Sequence, residues 1–374
     1  VPQLGAHLSQ QRSGGDDRPA SGSASLGLSA SWAPDLWGRI GDAVSAQAAS
    51  AQASEADLAG ARLDAQASLA QAYFALRETD AELALLDDII GGYERSARIT
   101  QNRYDVGVVP RTDTFQAQST LRNAQASRVA LQRTRAGYEH AIALLVGEAP
   151  ADFAIAPARW AGAVPAVPAE VPSLLLLRRP DVASAERAVS AANLQIGVAR
   201  SAYFPSLSLS ASLGASGSHL GDVLSAPSLV WSLGVALAQT VFDGGARDAK
   251  VDQALAARDA AVARYRQAAL TAMKEVEDQL SALDTLAAQT EHARAAAELA
   301  ERIEQQMLNR YQTGLTSYTE VVTAQASALS ARRSLLQLQL QRQQAALTLI
   351  QALGGGWQAP WGAGSAEPEG GRGG

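Results

Sequence analysis

The chain has 374 residues, of which 47% are hydrophobic and 5% aromatic, and its formal net charge is −6. The negative charge argues against a nucleic-acid partner, which would call for a basic surface. The absence of cysteine excludes disulfides, thiolate nucleophiles and cysteine metal sites within this sequence. No run of about 18 apolar residues occurs, so no transmembrane helix is predicted. Alanine supplies much of the hydrophobic fraction, which is typical of long helices packed closely side by side.

The chain opens with two segments, 2–9 and 24–33, in which apolar residues alternate with small polar ones. This period of two predicts β-strands with one apolar and one polar face. The stretch between them, 10–23, is rich in Gly, Ser, Asp and Pro and predicts a loop.

Two predicted helices complete the first half. The first runs from about Asp42 to Asn102, and Pro110 suits the first turn of the second, 110–146. A packing stripe recurs every seven residues of the first helix, at Leu69, Leu76, Leu83 and Ile90. Sixty helical residues span about 90 Å, more than a compact domain of this size would hold. A Pro- and Ala-rich linker, 148–180, follows.

The second half begins with a predicted helix, 181–203, that leads into a strand at 204–213. A second strand, 229–242, follows a loop at 214–228. The long helix that comes next, 245–311, carries its own seven-residue stripe, at Leu255, Val262, Ala269, Val276 and Leu283. A return helix at 317–353 and a Gly-rich tail at 354–374 follow, and the tail is expected to be disordered at its end.

The two halves repeat each other at an offset of about 207 residues. The matching pairs are Pro2 and Leu4 with Pro205 and Leu207, Ser25-Leu26-Gly27 with Ser232-Leu233-Gly234, Asp35 and Arg39 with Asp243 and Arg247, Arg103-Tyr104 with Arg310-Tyr311, Gly107 with Gly314, Ala117-Gln118 with Ala324-Gln325, and Gly147 with Gly354. Because the pairs keep their order along the chain, we interpret them as an internal duplication.

The four predicted strands are long enough to cross a bilayer at a tilt, which takes about 9–11 residues. Lipid-facing sheets need closed edges, and four strands cannot close a barrel, so several chains would have to share one. Two chains would give a filled eight-stranded barrel, and three would give twelve strands around a wet lumen lined by Ser and Gly. An aromatic girdle is expected at Trp32, Trp37, Tyr203, Phe204 and Phe242. A water-soluble β-sandwich with one polar face is the alternative reading of the strand pattern.

The segment Leu174-Leu175-Leu176-Leu177-Arg178-Arg179-Pro180-Asp181-Val182 resembles the signature of TolC-like outer-membrane factors. The likeness continues through Ala185-Glu186, Ala191-Ala192-Asn193, Ile196-Gly197, Ala199-Arg200 and Phe204-Pro205. Arg310-Tyr311 with Gly314-Leu315 is similar to that family's periplasmic hairpin, and Asp35-Leu36-Trp37-Gly38-Arg39 to its strand-to-helix junction. The resemblance covers essentially 1–355 and is closest to the NodT/OprM-like efflux lipoproteins that serve resistance-nodulation-division (RND) pumps.

The resemblance implies an α+β membrane protein whose four strands enter a trimeric twelve-stranded β-barrel in the Gram-negative outer membrane, continued by a long antiparallel α-helical barrel in the periplasm. The implied parts are a first outer-membrane β-hairpin (1–36), a first periplasmic helical hairpin (37–147), an equatorial linker (148–180), a helix leading into the barrel (181–203), a second outer-membrane β-hairpin (204–242), a second periplasmic helical hairpin (243–353) and an equatorial or disordered tail (354–374). Family members also carry a helix, a signal peptide and usually a lipidated cysteine ahead of the first strand. We therefore expect the natural chain to extend upstream of Val1.

The helical tips, 103–113 and 310–320, are the expected periplasmic gate and adaptor contact, by analogy with the family. The gate candidates are Arg103, Tyr104, Asp105, Asp113, Arg310, Tyr311, Tyr318 and Glu320, and the adaptor-docking turns centre on Gly107 and Gly314. Carboxylates repeated by threefold symmetry would form rings that resist closure unless arginines pair with them. Two local alternatives stay open: a capping box of Glu320 with Ser317, and a role of the two glycines only as turns that need positive φ.

The predicted function is that of a passive exit duct, which passes drugs or other small toxic solutes from an inner-membrane RND pump and its periplasmic adaptor. A type I secretion channel is the alternative within transport, and a barrel-anchored structural coiled-coil trimer is the alternative in another class. Cofactors and metals are not expected, because His7, His140, His219 and His292 are scattered without ligand spacing. No nucleophile elbow, phosphate loop or paired catalytic carboxylate points to an enzyme. Arg178-Arg179 is interpreted as packing the belt beside Pro180 rather than binding phosphate.

Overall fold

The computed structural model describes residues 2–15, 18–160, 162–165, 178–218, 223 and 229–357. Its elements in chain order are β1 (Gln3–Gly15), β2 (Arg18–Trp32), α1 (Arg39–Asp105), α2 (Arg111–Val146), α3 (Pro180–Arg200), a 3₁₀ turn (Ser201–Tyr203), β3 (Ser206–Gly217), β4 (Leu229–Ala238), α4 (Ala246–Gln312) and α5 (Tyr318–Ala352). The order strand, strand, long helix, return helix occurs twice, which agrees with the predicted duplication. Most of the 214–228 loop, the linker 166–177 and the tail from 358 lie outside the described residues.

The predicted loop 10–23 is wrong, because most of it belongs to strands. β1 extends to Gly15 and β2 begins at Arg18, and the two strands pair almost to the turn, with one irregularity between Ser13 and Gly15. Ser and Gly are frequent in loops, but in this stretch they continue the alternation of the strands.

Two compact units make up the described chain: Val1–Ser54 with Ala185–Arg266, and Glu55–Ser184 with Gln267–Gly374. The first unit holds one antiparallel sheet in the order β1-β2-β3-β4. Its register places Leu4, Ala30, Ala211 and Leu233 in one row across the four strands. The next row consists of Gly5, Ser29, Ser212 and Ser232. Since neighbouring rows face opposite sides, one face is apolar and the other is Ser/Gly, as the strand pattern predicts.

The apolar face of the sheet is uncovered within the chain. Leu233 and Val235 of β4 are each 75% exposed, and Trp231 is 69% exposed. β1 and β4 are the outer strands of this sheet, so each presents one free edge among the described residues. A soluble sandwich would bury this face against a second sheet, and the described residues contain no such sheet.

Aromatic side chains gather where the strands end. Trp37 stacks on Phe204 with ring centroids 4.8 Å apart, and its indole N–H donates to the Pro205 carbonyl at 2.7 Å. The five predicted girdle residues are all exposed, from Tyr203 at 39% to Phe242 at 88%. The two long helices begin next to them with equivalent acidic groups: Asp35 accepts from the Gly41 N–H at 2.7 Å, and Asp243 accepts from the Arg247 N–H at 3.1 Å.

Helices pack through small and branched side chains in the second unit. Leu76, Leu86 and Leu349 are fully buried, and Ile89 and Tyr93 of α1 pack with Ala124 of α2. The members of both predicted seven-residue stripes are buried or half-buried, as a packing seam requires. Among the described residues, no helix combines the length and apolar character needed to cross a membrane.

A buried charge network fastens the chain segment after α2 to the helices. Asp80, on α1, accepts from Arg135 at 2.7 Å and from Arg77 at 2.9 Å. The two arginines also donate to backbone carbonyls of the segment, Arg135 to Ile155 at 2.6 Å and Arg77 to Ala156 at 2.8 Å. This start of the predicted linker is therefore held by paired charges rather than by apolar packing.

Arg179 makes a second fastening, at the start of α3. Its guanidinium, 9% exposed as a residue, donates to Asp181 at 2.7 Å, to Glu275 of α4 at 2.7 Å and to the Ala352 carbonyl at the end of α5 at 3.2 Å. These three partners occupy the guanidinium, so the predicted packing role of Arg179 agrees with its contacts.

Candidate gate at the helical tips

Both helical tips are closed by the same backbone turn. At the first, the Gly107 N–H donates to the Tyr104 carbonyl at 2.8 Å and the Val108 N–H to the Arg103 carbonyl at 2.8 Å. At the second, Gly314 and Leu315 repeat these bonds to Tyr311 and Arg310 at 3.0 and 2.9 Å. The glycines have φ of 76° and 79°, in the left-handed region where other residues are strained. The predicted turn role of both glycines is confirmed, and their docking role stays a prediction.

The helix starts after these turns differ from expectation. Pro110 is the N-cap of α2, with φ −72°, and lies one position before the first turn. Ser317 is the N-cap of α5 but makes no side-chain cap hydrogen bond. The Glu320 carboxylate instead accepts a hydrogen bond from the Thr316 hydroxyl. The predicted capping box of Ser317 with Glu320 is therefore wrong. Thr316, which precedes the helix, donates to the carboxylate that a capping box would have placed against the Ser317 N–H.

Three predicted gate residues from three helices meet at one point. The Arg103 guanidinium, at the end of α1, donates to the Tyr311 carbonyl at the end of α4. The same guanidinium carbon lies 4.7 Å from the centroid of the Tyr311 ring, in cation–π geometry. The Tyr311 ring in turn meets the Tyr318 ring of α5 edge to face at 5.1 Å. Arg103 therefore ties the first helical hairpin to the second within one chain.

The tyrosine pair is part of a buried core at the tips. Tyr311 and Tyr318 are each 2% exposed and pack with Ala117 of α2 and Val321 of α5. Burial, with smaller contributions from Tyr311, Tyr93 and Asp113, raises the pKa of Tyr318 above its ordinary value. The Tyr318 hydroxyl is thus a neutral group near neutral pH.

Asp113 lies on the first turn of α2, close enough to this cluster to be influenced by it electrostatically. Burial raises the pKa of Asp113, and the Arg103 charge partly opposes that rise. Arg103 is therefore a cation that favours the ionised form of Asp113.

The remaining candidates are spread around the tips rather than gathered in the cluster. Asp105 is exposed and accepts from the Gln101 side-chain amide at 2.8 Å. Tyr104 is half-buried, and Arg310 and Glu320 are exposed. The turns also expose apolar side chains, with Val106 at 74% and Leu315 at 70% exposure. The tip surface therefore combines charge with exposed apolar area, as docking surfaces do.

Thr114 and Gln325 are buried polar residues that the sequence reasoning missed. Each is 3% exposed, and the Thr114 hydroxyl, the Gln325 amide oxygen and the Tyr311 hydroxyl have no hydrogen-bond partner among the described protein atoms. The repeated Ala-Gln pair that includes Gln325 was the available signal, although it marked the repeat and not the burial. A buried polar group without a partner costs about 1–3 kcal/mol, so these atoms mark the tips as locally less stable than the apolar core.

Comparison with known proteins identifies the fold and the family. The model of the outer membrane efflux protein family matches residues 1–148 and 171–355. The toluene efflux pump outer membrane protein TtgC of Pseudomonas putida is 31% identical over 90% of this chain and 69% of its own length. The pyoverdine export outer membrane protein OpmQ of Pseudomonas aeruginosa is 34% identical over 96% of this chain and 78% of its own.

The solved structure of CusC, a protein that forms a transmembrane channel, superposes on this chain with a TM-score of 0.87 at 28% identity, covering 95% of this chain and 84% of CusC. The family model spans most of the sequence, and both relatives exceed 30% identity. This chain belongs to the outer membrane efflux protein family.

Proposed function

We propose that three copies of this chain form a passive exit duct across the outer membrane, through which a tripartite pump expels small solutes. The observation that carries the proposal is the four-stranded sheet with two free edges, apolar on one face and Ser/Gly on the other. Joining β4 of one copy to β1 of the next satisfies every edge and turns the apolar faces to lipid. Three copies give twelve strands, enough for a water-filled lumen.

The parts of the chain then take their places along the duct. The hairpins 1–36 and 204–242 form the barrel in the membrane, and the helical hairpins 37–147 and 243–353 extend into the periplasm. In this proposal the linker 148–180 and the tail 354–374 are equatorial, and the helix 181–203 leads into the barrel. The contacts of Arg77 and Arg135 with 155–156 support the place of the linker, because they hold it against the helices.

Gating at the tips is the mechanism we infer. In the resting duct Arg103 holds Tyr311, and with it the second hairpin, through a hydrogen bond and a cation–π contact. Asp113, Asp105 and Glu320, repeated three times by symmetry, supply carboxylates that resist closure. An adaptor docks on the Gly107 and Gly314 turns and offers Arg103 partners that replace Tyr311. Because the adaptor binds the open tips more tightly than the closed ones, it shifts the equilibrium toward the open state.

An RND-type drug or solute pump is the partner favoured by the relatives, and the chain itself does not select the solute. Relatives of similar identity bear names that differ in cargo, toluene for TtgC and pyoverdine for OpmQ. A duct of Ser and Gly offers few groups that could discriminate between such solutes. Selection of cargo is therefore assigned to the pump.

Planar-bilayer recording of the purified full-length protein tests both the duct and its gate. We expect small, rare openings from the wild type and a conductance increase of at least about tenfold in Arg103→Ala. The increase is expected because removing the contacts of Arg103 with Tyr311 shifts the tips from the closed toward the open state. Arg98→Ala, an exposed arginine on the same helix, is the matched control and should leave conductance unchanged. A protein that never conducts, even with Arg103, Asp113 and Glu320 neutralised together, would refute the duct.

A further inference from the structure

One ionisable side chain lies on the polar face of the sheet. Across the side chains of β1 to β4 that the structure describes, this face consists of Ser, Gly, Gln, Ala and Val with the single exception of His7. The register fixes this orientation: His7 pairs with Gly27, which pairs with Gly214, which pairs with Val230. The exposed His7 therefore lies on the same side as the serine rows and opposite the leucine rows.

The neighbouring strand leaves room for this ring. A Cβ built on Gly27 would lie 2.7 Å from His7 Nε2, closer than real side chains approach, so the imidazole occupies space that a side chain at position 27 would need. The neighbours of His7 on this face are Gly5 and Ser9 in β1 and Ser25 and Ser29 in β2. None of them carries a charge, so His7 has no ion-pair partner on the strands packed beside it.

The second half of the chain shows that the fold does not need an imidazole here. By the offset that relates Pro2 to Pro205, His7 corresponds to Ser210. Ser210 also pairs with a glycine, Gly234, whose added Cβ would lie 2.8 Å from the Ser210 hydroxyl oxygen. The same slot is thus filled by a small neutral residue in one half and by an ionisable residue in the other.

We propose that His7 sets the ionic preference of the duct within the membrane, as a ring of three imidazoles around the lumen. This proposal rests on the trimeric barrel of the proposed function, in which the polar face lines the water. Histidine is the side chain that gains charge within the physiological pH range. Positive charge on these imidazoles lies in a lumen that is otherwise neutral at the level of β1, and it favours anions over cations.

The pH dependence of ion selectivity tests the charge. In the Arg103→Ala background, which opens the tips, we expect the K⁺/Cl⁻ permeability ratio to fall at least about twofold between about pH 8 and pH 5.5. His7→Gln should remove that fall while keeping conductance, and His7→Lys should hold the low ratio at both pH values. The effect should disappear in about 1 M salt, where the screening length drops to about 3 Å. An equal fall in His7→Gln would overturn the proposal.

Thiol labelling separates this proposal from the duct itself, because the sequence has no cysteine and any introduced thiol is unique. His7→Cys and Ser210→Cys should both react with a positively charged, membrane-impermeant methanethiosulfonate, in up to three conductance steps. Leu8→Cys, next along β1 on the apolar face, should not react. Reaction of Ser210→Cys but not His7→Cys would overturn the role of His7 and leave the duct intact. Reaction of Leu8→Cys alone would contradict the barrel.

Discussion

The effect of a buried carboxyl group on the stability of the helical unit depends on the charges that lie beside it. Glu78, on α1, is 7% exposed and lies near Glu82, which forms an ion pair with Arg333 of α5. Burial, and next the charge of Glu82, raises the pKa of Glu78 from its ordinary 4.5 to about 7, with Arg333 opposing the rise. Asp80, two residues along α1 and therefore on another face, is in the opposite situation, because two arginines pair with its carboxylate.

Glu78→Gln should stabilise the protein in a pH-dependent way. The folded state binds the Glu78 proton more tightly than the unfolded state. The stabilisation that comes from this tighter proton binding is complete below about pH 4.5 and is lost as pH rises through about 7. We therefore expect a gain of about 3 kcal/mol for the variant at pH 8 and none at pH 4. Thermal unfolding in detergent at the two pH values measures it. Glu94→Gln, exposed on the same helix, is the control. A gain that is equal at both pH values would contradict the assignment.

Asp80→Asn should destabilise the segment that follows α2. The substitution leaves the half-buried Arg77 and Arg135 without their shared buried carboxylate, although Arg135 keeps Glu139, and we expect a loss of about 3 kcal/mol. Faster proteolysis within 150–160 and a lower unfolding temperature are the readouts. The control is Asp87→Asn, on the same helix as Asp80. It removes an exposed ion pair with Arg128 of α2, and we expect a loss below about 1 kcal/mol. Equal losses from both variants would show that burial does not matter here.

At the scale of elements, the two hairpins share both the turn at the tip and the helix start that follows it. Pro110 and Ser317 are equivalent N-caps, with φ of −72° and −77°, and neither makes a side-chain cap hydrogen bond. The repeated Arg-Tyr and Gly positions form the same backbone turn at both tips, which the sequence repeat alone was enough to predict. The alternation of the strands likewise predicted which side chains share a face. Strand ends were harder to predict, because Ser and Gly serve both strands and loops. The Arg103–Tyr311–Tyr318 cluster joins residues about 200 positions apart, and no local pattern encodes that approach.

Gly107→Ala should cost about 1–2 kcal/mol although nothing crowds the site. No atom lies within 4 Å of a Cβ built at Gly107, so the whole cost is the strain of a positive φ. Gly137→Ala provides the matched control, because Gly137 lies inside α2 with equal open space and should gain up to about 1 kcal/mol of helix stability. Unfolding midpoints of the two variants, moving in opposite directions, are the expected result. A stabilised Gly107→Ala would contradict the turn geometry.

At the scale of the whole molecule, the two sides of one strand should tolerate charge differently. Leu233 and Ser232 are neighbours in β4 on opposite faces. Leu233→Arg places a charge toward lipid at a cost of about 2–4 kcal/mol near the bilayer centre, whereas Ser232→Arg enters the lumen and should assemble normally. The yield of heat-modifiable trimer in outer-membrane fractions compares them. Assembly of both variants at equal yield would argue against a lipid-facing leucine row.

The free edges of β1 and β4 also determine how mixed trimers assemble when wild-type and mutant copies of the gene are expressed together. No chain completes its own sheet, so a copy that misfolds along one edge leaves an unsealed seam against a healthy neighbour. If copies mix at random in equal numbers, only about one ring in eight is free of the defect. A substitution that disrupts an outer strand should therefore be dominant, and the loss of assembled trimers in such a cell should far exceed the share of altered chains.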